Sequence, residues 1–109
     1  MASGVYNRLN LTAATETVVV SNTAIATGKT GVVTVNVVNR NPVGGSQASI
    51  RLGISANTTL GTHEFIEYDT LLNPSGVIER TGIVLSPGLY LIARSSVANT
   101  SVVAYGIEG

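Results

Sequence analysis

An all-β sandwich of about eight short antiparallel strands is the fold this sequence predicts, on three observations. Short runs rich in Val, Ile and Thr alternate apolar with polar positions, the period of a half-buried strand. Clusters of Gly, Asn, Pro and Ser break those runs at roughly ten-residue intervals, as turns do in sandwiches and barrels. No segment sustains the helical spacing of apolar residues, so nothing competes with the strand reading.

The elements follow in order. Residues 1–15, "MASGVYNRLNLTAAT", hold isolated apolar anchors (Val5, Tyr6, Leu9 and Leu11) without a core-facing period. They read as an extended N-terminal arm that lies on a neighbouring subunit, ahead of a sandwich domain over 16–109. A strand is expected at 17–21 and a second short one at 23–27. In "GVVTVNVVNRN", Val33, Val35 and Val37 share one face while Thr34 and Asn36 share the other with Val32 and Val38. Pro42 and Gly44-Gly45 in "NRNPVGGS" then stop the strand, since proline cannot donate to a ladder.

"SQASIRLGIS" resumes the alternation, and "HEFIEYDTLL" after it is the one densely charged segment and the one place where a helical turn is tolerable. "NPSG" is a turn with proline at its second position. The strand "GVIERTGIVL" and the turn "SPG" lead to the last stretch, "GLYLIARSSVANTSVVAYGIEG". That stretch reads as a closing hairpin: Leu89, Leu91 and Ala93 oppose Tyr90, Ile92 and Arg94, and Val103, Tyr105 and Ile107 oppose Val102 and Ala104. Both faces carry apolar groups, as in strands covered on both sides. One face can be the core; the other needs the rest of the fold or another subunit.

Aromatic residues make up only 5% of the chain, with no Trp, so the core is expected to consist of Val, Ile and Leu. Immunoglobulin-like and jelly-roll sandwiches both fit. The Cys…Trp…Cys spacing of antibody domains is absent.

Composition bears on function. A chain of 109 residues makes one domain. Charged residues are 11% of it, against ~25% in soluble domains, so its surface is built from Thr, Ser, Asn, Gly, Ala and Val. Six basic and six acidic residues cancel, and near-zero net charge favours association. A homo-oligomer is expected. The chain has no cysteine, which fits a reducing cytosol or a particle assembled in one. Neither a signal peptide nor a run of membrane-spanning length is read from it, and no membrane partner is expected.

Catalytic signatures are missing. His63 is the single histidine, so "HEFIEY" lacks the second ligand of a zinc-protease helix, and no Gly-x-Ser-x-Gly elbow accompanies it. No enzymatic activity, cofactor or metal is expected. Glu64, Glu67 and Asp69 form, with His63, the one acidic patch. It reads as a solvated edge strand, as a docking patch for a basic partner, or as oxygen ligands for a hard cation. The basic residues are spread singly, so nucleic acid is not an expected partner. Five of the six cations are Arg, which suits bidentate pairing at contacts. Arg40, Tyr90 and Arg94 therefore join Val5, Tyr6, Leu9, Leu11, Glu64, Glu67 and Asp69 as candidate interface residues.

The last third of the chain carries an ordered set of features: Glu79-Arg80, Thr81-Gly82, the apolar residues 83–85, Pro87-Gly88, Arg94-Ser95-Ser96 and Gly106-Ile107-Glu108. In that order it resembles the closing segment of small accessory virion proteins of tailed bacteriophages. The resemblance implies a non-enzymatic β-sandwich in the virion, assembled in the host cytoplasm. It implies first a capsid cement (decoration) protein, a dimer or trimer that bridges major capsid protein subunits. Small tail or baseplate components, including receptor- or glycan-binding modules, are the alternative.

Overall fold

The computed structural model describes residues 3–109. Eight strands form: β1 Gly4–Leu11, β2 Thr17–Val20, β3 Gly31–Asn39, β4 Ala48–Ser55, β5 Phe65–Leu72, β6 Val77–Leu85, β7 Tyr90–Ser95 and β8 Thr100–Glu108. Among the described residues there is no helix, and "HEFIEYDTLL" runs as strand from Phe65 onward.

The strands make two four-stranded sheets, ordered β1-β8-β3-β6 (sheet A) and β2-β7-β4-β5 (sheet B). This order has a simple origin. Pairing the first half of the chain with the second gives β1 with β8, β2 with β7, β3 with β6 and β4 with β5. Rolling that long ribbon up brings β8 beside β3 and β7 beside β4. The result is the jelly roll, which decides between the two sandwich types that composition leaves open.

Two expectations are corrected by this topology. Residues 4–11 are no arm. They pair with β8 from Gly4↔Gly106 to Leu11↔Thr100, and Leu11 is buried in the core. Isolated apolar residues hide the strand because a shift in register at Tyr6 breaks its alternation. The closing hairpin is likewise absent: β7 lies in sheet B and β8 in sheet A, so the link between them crosses the sandwich. Only β4 and β5 are joined within one sheet.

The expected strand at 23–27 is also replaced by turns, with Ala24 N–H donating to Ser21 O and Lys29 N–H to Ala26 O, each at 3.0 Å. Ala24 and Ile25 are nonetheless buried and join the core cluster.

The core lies between the sheets and is aliphatic. Val33, Val35 and Val37 of β3 meet Ile50 and Leu52 of β4, Leu91 and Ala93 of β7, and Val102 and Ala104 of β8. Strand alternation puts them there: the burial of β3 switches at every residue along its length. The turns have the chemistry that their sequences demand. Gly76 N–H donates to Asn73 O at 2.9 Å with Ser75 at φ 64°. Leu89 N–H donates to Ser86 O at 3.3 Å with Gly88 at φ 85°. Both are type II turns with proline at the second position.

One buried polar cluster holds an end of the sandwich. The Asn39 amide donates to Ser46 O and Leu72 O, each at 3.0 Å, and accepts from the N–H of Asn41 at 3.0 Å and from its Nδ2 at 2.8 Å. Every hydrogen-bonding site of this amide is thereby used. At the β7–β8 crossing, the buried hydroxyls of Ser95 and Thr100 lie 2.9 Å apart.

Candidate functional site

The outward faces of the two sheets differ in kind, and each follows from strand alternation. Residues of β3 and β8 that do not face the core face outward across sheet A, and cross-strand register arranges them in rows. One row runs Ile107–Val32–Val84 and the next Val5–Tyr105–Thr34. The third runs Arg8–Val103–Asn36–Glu79, and the fourth Asn10–Ser101–Val38–Val77. The first two rows are largely uncovered: Ile107 and Val5 are 63% exposed and Val84 is 57% exposed. Gly4, Val5, Val32, Thr34, Tyr105, Gly106 and Ile107 line a shallow depression of about 520 Å³ there.

The third row is polar at both ends. Arg8 on β1 and Glu79 on β6 are exposed, and neither is in an ion pair with a described residue. In the middle, Asn36 Nδ2 donates to the Tyr105 hydroxyl at 3.3 Å. Opposite Thr34, β6 carries a bulge at Thr81-Gly82, where Gly82 has φ 68°. That left-handed backbone suits glycine, which puts no side chain on the face there.

Sheet B is covered differently. Its outer face holds Arg51, whose Nε lies 2.7 Å and Nη2 3.2 Å from the two Asp69 carboxylate oxygens. The Arg51 guanidinium also sits 4.5 Å over the Tyr68 ring, which meets Phe65 edge-on at 4.7 Å. Thr62, Phe65 and Tyr68 line a small cleft of about 260 Å³. A bulge in β5, with Asp69 at φ 51°, sets both Tyr68 and Asp69 against Arg51. Farther along this face the β4–β5 loop folds back. Leu60 N–H donates to Glu16 Oε2 at 3.1 Å, and a Cβ on Gly53 would overlap the Glu64 carbonyl. Ile92, the register partner of Gly53, is fully buried without belonging to the inter-sheet core.

The charged groups respond to these partners. Hydrogen bonding by Arg51 holds the Asp69 carboxyl below its usual range. The Gly61 N–H, at 2.7 Å, does the same for Glu64. The Ala26 N–H, also at 2.7 Å, does so for Glu108. Burial pushes the Tyr6 phenol above its ordinary value, and its hydroxyl has no hydrogen-bond partner among the described residues.

The sequence-derived contact residues do not form one surface. Val5 lies on the apolar face of sheet A, whereas Tyr6 and Leu9 pack against the core and Leu11 is within it. Arg40 Nη2 donates to Asn10 Oδ1 at 3.0 Å, at the far end of that face. The acidic group disperses. Glu64 caps its own loop. Glu67 meets Arg80 at 3.2 Å across the edge between β5 and β6 and accepts from the Thr70 hydroxyl at 2.6 Å. Asp69 points to Arg51 on the outer face. Tyr90 is half-buried beside its register partner Ser55, and Arg94 is the register neighbour of Arg51. His63 is exposed. No three His, Asp or Glu side chains converge as metal ligands would, among the described residues.

Sequence reasoning did not name Arg8, Arg51, Phe65 or Tyr68 as contact residues, and it took Glu79 only as part of the resemblance. Val32 and Val38 gave the available signal, because valines stood on the same face as Thr34 and Asn36.

The chain was compared with protein-family models, curated proteins and solved structures. It matches none of them.

Proposed function

We propose that this chain is a non-enzymatic structural protein of a bacteriophage particle, of the cement type. It acts as a homo-oligomer that binds the assembled major capsid lattice. The observation that carries this reading is the uncovered apolar outer face of sheet A, an area of Val, Ile and Tyr on a domain with few charges. Contiguous exposed apolar surface marks contact sites. Low surface charge lets such contacts form without desolvating ions.

Other features support it. The features on which the resemblance to small phage virion proteins rests have structural roles in this chain. Thr81-Gly82 is the β6 bulge, Ser95 bonds across to Thr100 at the sheet crossing, and Ile107 stands on the apolar face. Jelly rolls recur in viral capsid proteins, an analogy at the level of fold. Two different outer faces give one domain two ways to make contacts, as bridging requires. Weak contacts repeated over a lattice add up through avidity, and a ligand of the assembled shell alone shifts its equilibrium away from disassembly.

The test is to add purified protein to shells that lack it. Saturable binding at a fixed number of copies per capsid subunit, with a higher disruption temperature, is the expected result. Binding to unassembled subunits alone, or to neither form, would overturn the reading.

One observation favours a receptor-binding tail module instead. The exposed Tyr68 and the half-buried Phe65 form an aromatic pair beside Arg51 and Asp69, and sugars stack on such rings. Specific glycan-array binding that Tyr68→Ala abolishes would select that alternative.

A further inference from the structure

The outer face of sheet A is complementary to itself, and we infer that a second copy of this chain covers it in a two-fold dimer. This deepens the homo-oligomer part of the proposed function and rests on that part alone. Consider two such faces in contact, related by an axis that runs along the strands between them. The axis lays β1 over the partner's β6 and β8 over the partner's β3, and it sets every row against the same row.

The charges then pair. In the third row, Arg8 at one edge meets the partner's Glu79 at the other, and the symmetry repeats the pair. Within one chain these two residues stand three strand spacings apart, about 14 Å, too far to pair. The shapes are compatible as well: Val5, 63% exposed at the β1 edge, faces the Thr81-Gly82 bulge of the partner's β6, where Gly82 carries no side chain. In the first row Ile107 and Val32 meet the partner's Val32 and Ile107.

The other in-plane two-fold, running across the strands, is disfavoured. It sets Ile107 on the partner's Ser101 and Arg8 on the partner's Val5, which strands a charge against apolar surface. The area is adequate. β3 and β8 are nine residues long, so four strands give a patch of about 30 by 19 Å. That is roughly 600 Å² of plane before side-chain relief, against the ~800 Å² per partner of a standard interface. The interface is isologous, as most homodimer interfaces are.

Charge reversal tests this. Sedimentation equilibrium of the full chain should show a dimer at about 10 µM that weakens at least ~10-fold in Arg8→Glu or in Glu79→Arg. Each single variant opposes like charges twice, whereas an equimolar mixture of the two opposes unlike charges twice and should restore the dimer. Circular dichroism of each variant checks that these exposed substitutions leave the fold intact. A wild-type chain monomeric at about 200 µM, a dimer indifferent to both reversals, or no recovery on mixing would overturn the inference. Shell binding is read separately. Binding by a chain that stays monomeric overturns this inference and the oligomeric part of the proposal but leaves cementing intact. A dimer that rescues on mixing and never binds shells leaves the inference standing and overturns the cement role.

Discussion

Asn39 in sheet A donates from its side chain to the carbonyl of Leu72 in sheet B at 3.0 Å, fully out of solvent. This is a hydrogen bond between the two layers of the sandwich rather than within one. The same amide accepts two hydrogen bonds from Asn41, so the β3–β4 loop is fixed to the end of β5.

Asn39→Ala leaves a buried carbonyl without its donor, and the expected loss is about 2–4 kcal/mol. Urea unfolding should show a lower midpoint with an unchanged slope. Asn39→Asp should cost at least as much, because a carboxylate would face the Ser46 and Leu72 carbonyls.

β8 pairs with β1 on one side and β3 on the other. A variant lacking residues 100–109 is therefore expected to lose the fold, because β1 would keep no strand partner and the core would lose Val102 and Ala104. Amide dispersion in NMR and a cooperative melt are the readouts. Either one retained in the truncated chain would contradict the expectation.

Gly53 lies beneath the β4–β5 loop, where an added Cβ would overlap the Glu64 carbonyl and come within 2.7 Å of Leu60 Cδ2. Gly53→Ala should lift the loop at a cost of about 1–3 kcal/mol. Hydrogen exchange should speed up over residues 56–64 and at Ile92, and stay unchanged in β3 and β8.

Asp69, Glu64 and Glu108 all titrate below their ordinary range, chiefly through hydrogen bonds from Arg51, Gly61 and Ala26. Carboxylates with depressed folded values contribute stability above their unfolded pKa of about 4 and lose it as pH falls through the folded values. The melting temperature should be level from about pH 7 to 5 and fall below about pH 4. Asp69→Asn should flatten part of that fall. A melting temperature that rises towards pH 3 would contradict the assignment.

Much of the sandwich was legible because strands report themselves through alternation: Val33, Val35 and Val37 share one face in the sequence pattern, and in the fold that face is the inward one. β1 was hidden by its register shift. The β7–β8 crossing was hidden because a turn such as "SVANTS" does not reveal whether its two strands share a sheet. Asn99 takes φ 61° there, turn chemistry that serves either connection. The contact faces were the least legible. Glu64, Glu67 and Asp69 are close in sequence, yet Glu64 lies in the loop before β5, and the bulges of β5 send Glu67 to an edge and Asp69 to a face. Arg8 and Glu79 are 71 positions apart in sequence, and only the register through β8 and β3 sets them in one row.

The most direct test of the proposed structural role is an image reconstruction of a phage particle from the genome that encodes this chain. The expected result is density for the jelly roll at symmetry-related sites on the outer surface of the shell, contacting neighbouring capsid subunits. Density confined to the tail tip, or a mature particle without the chain, would contradict the proposed cement role.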